Sequence, residues 1–384
     1  DAKRAGAAGP AGRGMIVGVL GGGQLGQMLA LAGIPLGMRF RFFEPAEESC
    51  VDGIGERVRA GYDDLDALGR FAEGLDVVTY EFENVPVAAV EYLATLVPHV
   101  YPPPGALAVA QDRLTEKTFL EAQGVPCPPF AAVSSEGELR EAAARLGLPA
   151  VLKTRRFGYD GKGQVVLRSE ADLEGAWEAV GGAPSILERF VPFEREASIL
   201  AVRGRDGDIA CYPLVENRHR EGILRLSVAP GPHLDAGLQA EAERHARAVL
   251  EALGYVGVLA IEFFVEGGRL LANEMAPRVH NSGHWTIEGA ATSQFENHLR
   301  AVLGLPLGST AAVGCSAMLN LIGTLPDLDV AYRMPDAHVH LYGKTPREGR
   351  KLGHVTVRAS DAEALSALVT PLGAAGFEVG LTPR

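Results

Sequence analysis

The sequence predicts an α/β protein in which a parallel, doubly wound sheet is followed by two α+β domains. Three observations carry this prediction. The chain has 384 residues, too many for one ordinary hydrophobic core. In residues 15–124, apolar strands alternate with helical patterns, as they do in a parallel sheet. Beyond residue 125, strands with hairpin character mix with helices, which is typical of α+β units.

The first domain is predicted to span residues 15–124. An apolar strand, Ile16 to Leu20, runs into a group of glycines and then into a helix with apolar residues at helical spacing. A second strand ends in Glu44, and a third ends in the acidic pair Glu81 and Glu83. Parallel sheets of this kind bind ligands at the carboxyl ends of their strands, so we expect a ligand near these acids.

Composition excludes several classes of function. The net charge of −12 argues against a nucleic-acid partner, which would need a basic surface. Four cysteines without C-x-x-C spacing predict reduced thiols in a cytoplasmic protein and offer no zinc site. No apolar run reaches about 18 residues, so no membrane-spanning helix and no membrane partner is predicted. Residues 1–14 are rich in glycine and alanine and predict a disordered tail.

The stretch GGGQLG, residues 21–26, admits more than one interpretation. Its G-x-G-x-x-G spacing after a strand, with Glu44 about twenty residues later, is typical of dinucleotide binding by a dehydrogenase. Other anions also bind at a helix N-terminus, and Gln24 can contact a sugar phosphate there. A tight strand–helix turn without a ligand is the third interpretation.

The second domain is predicted to span residues 125–189 and to carry a glycine-rich loop. The loop RRFGYDGKGQ, residues 155–164, follows a strand that contains Lys153. Clustered glycines permit close backbone approach to an anion, and phosphate is the usual one. Lys153 is well placed to reach a phosphate as a point charge. A hairpin turn with surface charge is the alternative at this stage.

The third domain is predicted to span residues 190–384 and to hold a metal. Glu262 and the pair Asn273–Glu274 lie on two strands joined by the short turn EGGR, so a hairpin would place the carboxylates side by side. Paired carboxylates repel unless a cation joins them, and Mg²⁺ takes one or two carboxylates together with nucleotide phosphates. A lone salt-bridged strand residue is the ordinary alternative for Glu262.

These features together resemble the ATP-grasp superfamily, which binds ATP between two α+β domains beneath a glycine-rich loop. The resemblance implies an ATP-grasp fold with an N-terminal Rossmann-like domain, a small lid domain and a larger C-terminal domain. Within that superfamily, the stretches GGGQLGQML, YEFENV, FGYDGKGQ, APRVHNSGHWT and GRKLGH resemble the N5-carboxyaminoimidazole ribonucleotide synthetase family. The similarity runs from Met15 to about residue 360.

The resemblance implies a set of site residues. The expected ATP-binding residues are Arg113, Lys153, Gly158, Tyr159, Asp160, Gly161, Lys162, Gly163, Gln164, Glu188, Arg189, Phe190, Val191, Glu196, His219, Asn273 and Glu274. The expected Mg²⁺ ligands, for two ions, are Glu262 and Glu274. The expected ribonucleotide-binding residues are Gln24, Glu81, Tyr159, Asp160, Arg278, Arg350 and Lys351. The expected catalytic residues are Lys153, Tyr159, Asp160 and Arg278.

The function implied by the resemblance is ATP-dependent carboxylation of 5-aminoimidazole ribonucleotide by bicarbonate, through carboxyphosphate, in purine biosynthesis. The implied partners are small molecules, with a cytoplasmic location and a homodimer. Another ATP-grasp ligase with a different acceptor, a nucleotide-binding sensor without chemistry and an NAD-dependent dehydrogenase are the alternatives. The dehydrogenase hypothesis explains none of the features beyond residue 125.

Overall fold

The computed structural model describes residues 14–158 and 163–379, which form three sheets. The predicted tail, residues 1–14, lies outside this part of the chain except for Gly14. The first sheet is parallel, with strand order β3-β2-β1-β4. Its strands are β1 (Ile16–Leu20), β2 (Arg39–Phe43), β3 (Glu56–Val58) and β4 (Val77–Tyr80).

Helices cover both faces of this sheet, as the prediction of a doubly wound sheet requires. The helices of this region are α1 (Gln24–Gly33), α2 (Leu65–Ala72), α3 (Val87–Leu96), α4 (Pro104–Ala110) and α5 (Arg113–Ala122). Side chains alternate across β1, so that Val17 and Val19 pack towards α1 while Leu20 packs towards α2 and α3. A short 3₁₀ helix, Ile34–Leu36, leads from α1 into β2.

The second sheet is small, antiparallel and covered on one face only. Its strands, in the order β5-β8-β6-β7, are β5 (Phe130–Val133), β6 (Ala150–Thr154), β7 (Gln164–Leu167) and β8 (Ser185–Arg189). The helices α6 (Glu136–Leu146) and α7 (Ala176–Ala179) and the 3₁₀ helix Glu170–Leu173 accompany it. On β6, Ala150 and Leu152 join the core under these helices, so Val151 and Lys153 point to the opposite, uncovered face.

The third sheet has nine antiparallel strands and holds the main core. Its strands are β9 (Arg195–Arg203), β10 (Ile209–Cys211), β11 (Val215–Arg220), β12 (Ile223–Ala229), β13 (Gly257–Glu266), β14 (Arg269–Ala276), β15 (Cys315–Ile322), β16 (Ala337–Leu341) and β17 (Lys351–Ala359). The order is β14-β13-β9-β11-β12-β15-β17-β16, and β10 pairs with β9.

The helices of this region are α8 (Ala236–Ala252), α9 (Thr286–Gly289), α10 (Gln294–Leu303), α11 (Leu328–Tyr332) and α12 (Ala362–Ala374), with a 3₁₀ helix at Asn281–Gly283. Helices α5 and α8 pack on one face of the large sheet, and α10 packs on the other. Because α10 also packs against α1, one hydrophobic core joins the parallel sheet to the large sheet. Helix α12 covers β15 and β17.

The observed architecture confirms the predicted fold class. The boundaries placed at residues 124 and 189 stay predictions, although α5 packs against β14 of the large sheet. All four cysteines are free thiols. Within the described ranges, no helix combines the length and apolarity needed to span a membrane.

Candidate active site

A cleft of about 1730 Å³ lies between the uncovered face of the small sheet and the large sheet. Most of the predicted site residues that the structure describes line it. They are Gln24, Glu81, Arg113, Lys153, Gly158, Gln164, Glu188, Arg189, Phe190, Val191, Glu196, His219, Glu262, Asn273, Glu274, Arg278 and Lys351. The fold therefore brings residues from all three sheets to one cavity.

Two of the predicted residues that the structure describes, Gly163 and Arg350, do not belong to this lining. Tyr159, Asp160, Gly161 and Lys162 lie outside the described residues. Gly163 adopts a φ of 71° at the end of the glycine-rich loop, close to Thr154. Arg350 pairs with Glu48 at 2.9 Å instead of lining the cleft.

Lys153 and Glu188 form an ion pair at the small-sheet side of the cleft. The Lys153 ammonium lies 3.0 Å from Oε2 of Glu188 and 3.3 Å from Oδ1 of Asn273. Burial disfavours the Glu188 carboxylate, but Lys117 and Lys153 outweigh it and lower the pKa of Glu188 to about 2. The second oxygen, Oε1, is buried and has no hydrogen-bond partner within the described part of the chain. Buried acceptors are normally satisfied by a donor, so this oxygen is available to a ligand.

Glu196 and His219 form a second charged pair, on adjacent strands of the large sheet. Nδ1 of His219 lies 3.1 Å from Oε2 of Glu196. Burial opposes protonation of the imidazole, but Glu196 outweighs it and raises the pKa of His219 to about 9. The ladder between β11 and β12 shifts register between Arg218 and His219, and such bulges re-aim side chains next to active sites.

Glu262 and Glu274 are direct partners in the β13–β14 ladder, which shifts register immediately after Glu262. Oε1 of Glu262 lies 3.1 Å from Nε2 of His280, and Oε2 of Glu274 lies 2.8 Å from Nη1 of Arg113. Although burial disfavours its charge, hydrogen bonding to His280 lowers the pKa of Glu262 to about 2. Both carboxylates therefore face the cleft with cationic or hydrogen-bonding support.

A buried polar chain orients His280. The Ser282 amide and hydroxyl lie 3.3 Å and 2.9 Å from Nδ1 of His280. Ser198 donates to the Ser282 hydroxyl at 2.7 Å, and Asn217 donates to Ser198 at 2.8 Å. With Nδ1 accepting from the Ser282 amide, Nε2 carries the proton that faces Glu262. The polar run HNSGH thus supplies an oriented support for one carboxylate of the pair.

Arg278 bridges the large sheet and the parallel sheet. Its Nε donates to Oε2 of Glu83, at the end of β4, and its Nη1 donates to the carbonyl of Val279 at 3.1 Å. Burial opposes the charge of both partners, but the ion pair prevails and lowers the pKa of Glu83 and raises that of Arg278. Arg278 is thereby a fixed cation in the wall of the cleft.

The glycine-rich turn before α1 is occupied by the protein's own carboxylates. The Gly22 amide donates to Glu44 at 2.8 Å, and the Gly23 and Gly26 amides donate to Glu81 at 2.7 Å and 3.0 Å. These amides are the donors that a pyrophosphate would use at a helix N-terminus, and two carboxylates beside them repel one. The arrangement disfavours the dehydrogenase interpretation of this turn.

A cluster of cations lies beyond the carboxylate pair, towards the parallel sheet. Lys344 donates to the side-chain amide of Gln24, and Lys351 lines the cleft at the start of β17. Glu48 accepts from the Thr345 amide at 2.9 Å and pairs with Arg350, which lowers the pKa of Glu48 to about 2. This Glu48 contact ties the loop that carries Lys344 to the first domain.

Two residues near the site, Lys117 and Lys344, are absent from the sequence prediction. For Glu83 the sequence predicts a place at an acidic strand end but not the pairing with Arg278. Lys117 is a fully buried lysine on α5 that pairs with Glu188. Lys344 lies in the basic stretch before β17, and its distance from Gln24 in the chain, 320 residues, left no local signal.

Three consecutive parts of the chain match known protein families. Residues 15–111 match the ribonucleotide synthetase preATP-grasp domain, residues 118–295 the ATP-grasp domain, and residues 316–368 the phosphoribosylaminoimidazole carboxylase C-terminal domain. The N5-carboxyaminoimidazole ribonucleotide synthase of Pseudomonas aeruginosa is 56% identical over 360 residues, which cover 94% of this chain and 99% of the relative.

Solved structures give the same result. The N5-carboxyaminoimidazole ribonucleotide synthetase of Thermus thermophilus superposes with a TM-score of 0.90 at 57% identity, covering 96% of this chain and 99% of the other. The Aspergillus clavatus synthase, in complex with ADP and 5-aminoimidazole ribonucleotide, superposes with a TM-score of 0.88 at 32% identity, covering 94% and 98%.

Proposed function

This chain belongs to the N5-carboxyaminoimidazole ribonucleotide synthase family of ATP-grasp ligases, and we propose that its cleft carries out the family's reaction through the residues assigned below. It is an enzyme of purine biosynthesis that carboxylates 5-aminoimidazole ribonucleotide at the expense of ATP. The observation that supports this proposal most is that one cleft is lined by the Lys153–Glu188 pair, by the facing carboxylates Glu262 and Glu274, and by Lys351 from the cluster of cations.

The lysine–glutamate end of the cleft is the proposed nucleotide site. The partnerless Oε1 of Glu188 suits the adenine amino group, which needs an acceptor in a buried position. The strand end from Glu188 to Val191 offers backbone groups for the adenine edge, and Glu196 with His219 suits the ribose hydroxyls. Lys153 supplies a positive charge for the phosphates.

Mg²⁺ fits the facing pair of Glu262 and Glu274. In the described ranges no group of three or more His, Cys, Asp or Glu side chains forms a metal site. Two carboxylates completed by nucleotide phosphates are nevertheless what Mg²⁺ characteristically uses. Both carboxylates line the cleft and lie opposite each other, so they would hold one or two ions. The metal would neutralise charge on the transferred phosphoryl group.

The first chemical step makes bicarbonate reactive. A bicarbonate oxygen attacks the γ-phosphorus of ATP, the bond from that phosphorus to the β,γ-bridging oxygen breaks, and ADP leaves with the electron pair. The product, carboxyphosphate, is a mixed anhydride. Lys153 would supply positive charge to the phosphates and Arg278 to the bicarbonate, so the protein's contribution is positioning and charge neutralisation.

The second step forms the carbon–nitrogen bond. The exocyclic amine of the ribonucleotide attacks the carboxyl carbon, directly or after release of CO₂ inside the cleft, and phosphate departs. Asp160 and Tyr159 of the glycine-rich loop are proposed to orient the amine and to accept its proton. Lys351 and Lys344 would neutralise the 5′-phosphate, with Gln24 alongside. Arg350, which pairs with Glu48, would order the adjoining loop.

Transfer of oxygen from bicarbonate tests the carboxyphosphate step. With ¹⁸O-labelled bicarbonate, ATP and the ribonucleotide, one label should appear in each inorganic phosphate released, because the attacking oxygen stays on phosphorus. Unlabelled phosphate, formed at the same rate as product, would exclude carboxyphosphate. The cytoplasmic location, the homodimer and the domain boundaries stay predictions.

A further inference from the structure

Two lysines share one carboxylate oxygen at the back of the nucleotide end of the cleft. Nζ of Lys153 lies 3.0 Å from Oε2 of Glu188, and Nζ of Lys117 lies 3.3 Å from the same atom. Their surroundings differ. The Lys153 side chain is 10% exposed and lines the cleft, whereas the Lys117 side chain is 0% exposed and lies behind Glu188.

Lys117 is held in place from two sides. It extends from α5, and its ammonium donates to the carbonyl of Ala272 on β14 at 2.9 Å while it pairs with Glu188. A buried ammonium is retained only when it is paired and hydrogen-bonded, so this side chain has no solvated alternative position. Lys117 is therefore a fixed charge.

The Lys153 side chain can change its partner, whereas the Lys117 side chain cannot. Its ammonium lies between Glu188 and the side-chain oxygen of Asn273, at the cleft surface. A lysine ammonium is a point charge on a flexible stem, so it can turn from a carboxylate to a phosphate oxygen. If it did so without a second cation behind it, Glu188 would remain as a buried, unpaired carboxylate, which is strongly unfavourable.

We propose that Lys117 is a positioning residue, a fixed counter-ion that keeps Glu188 neutralised while Lys153 turns from Glu188 to the phosphates of ATP. Lys117 itself does not touch the nucleotide. Its effect is to release Lys153, because Glu188 keeps an ion-pair partner at 3.3 Å when Lys153 leaves. The inference rests on the nucleotide site proposed above and adds how that site makes its lysine available.

A structure of the wild-type enzyme with ADP tests this directly. The Lys153 ammonium should lie on a phosphate oxygen and have left hydrogen-bonding distance of Glu188, while Lys117 keeps its contacts with Glu188 and Ala272. Retention of the Lys153–Glu188 contact with ADP bound, or movement of Lys117 to the nucleotide, would overturn the proposal. Absence of ADP from the cleft would instead overturn the nucleotide site itself.

Variants give an independent test by calorimetric titration with ADP. Lys117→Met should weaken ADP binding by roughly a factor of 10 and raise the KM for ATP more than it lowers kcat, because Lys153 becomes pinned on Glu188. Lys117→Arg keeps the charge and should retain most of the affinity. Adding Glu188→Gln to Lys117→Met should restore part of the loss, because a neutral glutamine no longer holds Lys153.

A merely structural role for Lys117 gives a different pattern. In that case Lys117→Met would lower the melting temperature with unchanged ADP affinity in the folded fraction, and the losses from Lys117→Met and Glu188→Gln would add. Either result would overturn the proposal. If Lys117→Met does not fold, the ADP-bound structure of the wild-type enzyme still decides between the two roles.

Discussion

Glu262 and Glu274 face each other across the β13–β14 hairpin, and each carboxylate lies beside a different partner. Glu262 lies 3.1 Å from His280, and Glu274 lies 2.8 Å from Arg113. Because His280 lies beside one carboxylate and Arg113 beside the other, these partners offset part of the repulsion between the two side chains. This arrangement supports the proposed Mg²⁺ site, because residues beside metal ligands orient them.

Neutralising either carboxylate should remove the metal dependence of the reaction. In Glu262→Gln and in Glu274→Gln, phosphate release from Mg-ATP should fall roughly 100-fold or more, since a catalytic metal contributes several kcal/mol. The measurement is the rate as a function of Mg²⁺ concentration. Glu251→Gln, at an exposed position on α8, is the matched control and should behave as wild type. Unchanged Mg²⁺ dependence in both site variants would contradict the metal assignment.

Removing the charge of Asp160 should separate nucleotide binding from ligation. In Asp160→Asn, turnover with the ribonucleotide should fall by roughly 100-fold or more, because the amine loses its acceptor, and ADP affinity should change little. Steady-state kinetics and ADP titration measure the two effects. Asp208→Asn, in an exposed turn, serves as the control. A wild-type turnover number in Asp160→Asn would remove this residue from the mechanism.

Binding of the 5′-phosphate of the ribonucleotide should depend on Lys344. In Lys344→Met, the KM for the ribonucleotide should rise roughly 10-fold or more, since a charge-assisted contact is lost, while ADP affinity stays at the wild-type value. Arg347→Met, from the same loop but at an exposed position, is the matched control. Equal KM values in the two variants would show that Lys344 has no special part in binding the phosphate.

The free energy of unfolding should fall below pH 7 partly because of His298. This fully buried imidazole accepts from the Val258 amide at 3.1 Å and lies 2.8 Å from the Thr79 hydroxyl, and burial lowers its pKa to about 3. The folded protein thus favours neutral His298. The contribution of His298 to the free energy of unfolding is therefore present above about pH 6.5 and is lost as the pH falls below that value. From pH 7 to pH 5 the loss is about 2 kcal/mol.

Denaturant unfolding at several pH values measures this effect. His298→Asn should be less stable than wild type at pH 7 but should lose less stability between pH 7 and pH 5. The same slope in His298→Asn as in wild type would show that His298 does not govern the acid response.

Local sequence predicted the parts of the site that depend on short-range geometry. The turn between Glu262 and Glu274 is short, so the register of the hairpin follows from it. Lys153 is predicted as a site residue because it ends an apolar strand directly before a glycine-rich loop. The α/β fold class and the family were predicted from similar features and are confirmed.

The contacts that the sequence did not predict join residues that are far apart in the chain. The Arg278–Glu83 pair joins residues 195 positions apart, and Lys344 reaches Gln24 across 320 positions. Such contacts depend on how α10 and α1 join the parallel sheet to the large sheet, which no local pattern encodes. The resemblance implies that Arg350 binds the substrate phosphate, and this role stays a prediction; the structure adds a contact with Glu48 at 2.9 Å, about 300 positions away in the chain.

The most direct test of the account is phosphate release from Mg-ATP in bicarbonate buffer, measured with and without 5-aminoimidazole ribonucleotide. The account predicts strong stimulation by the ribonucleotide, together with a labile carboxylated product in equal amount. Phosphate release that ignores the ribonucleotide but responds to another amine or acid would contradict the substrate assignment. No release under any of these conditions would contradict the assignment as an enzyme.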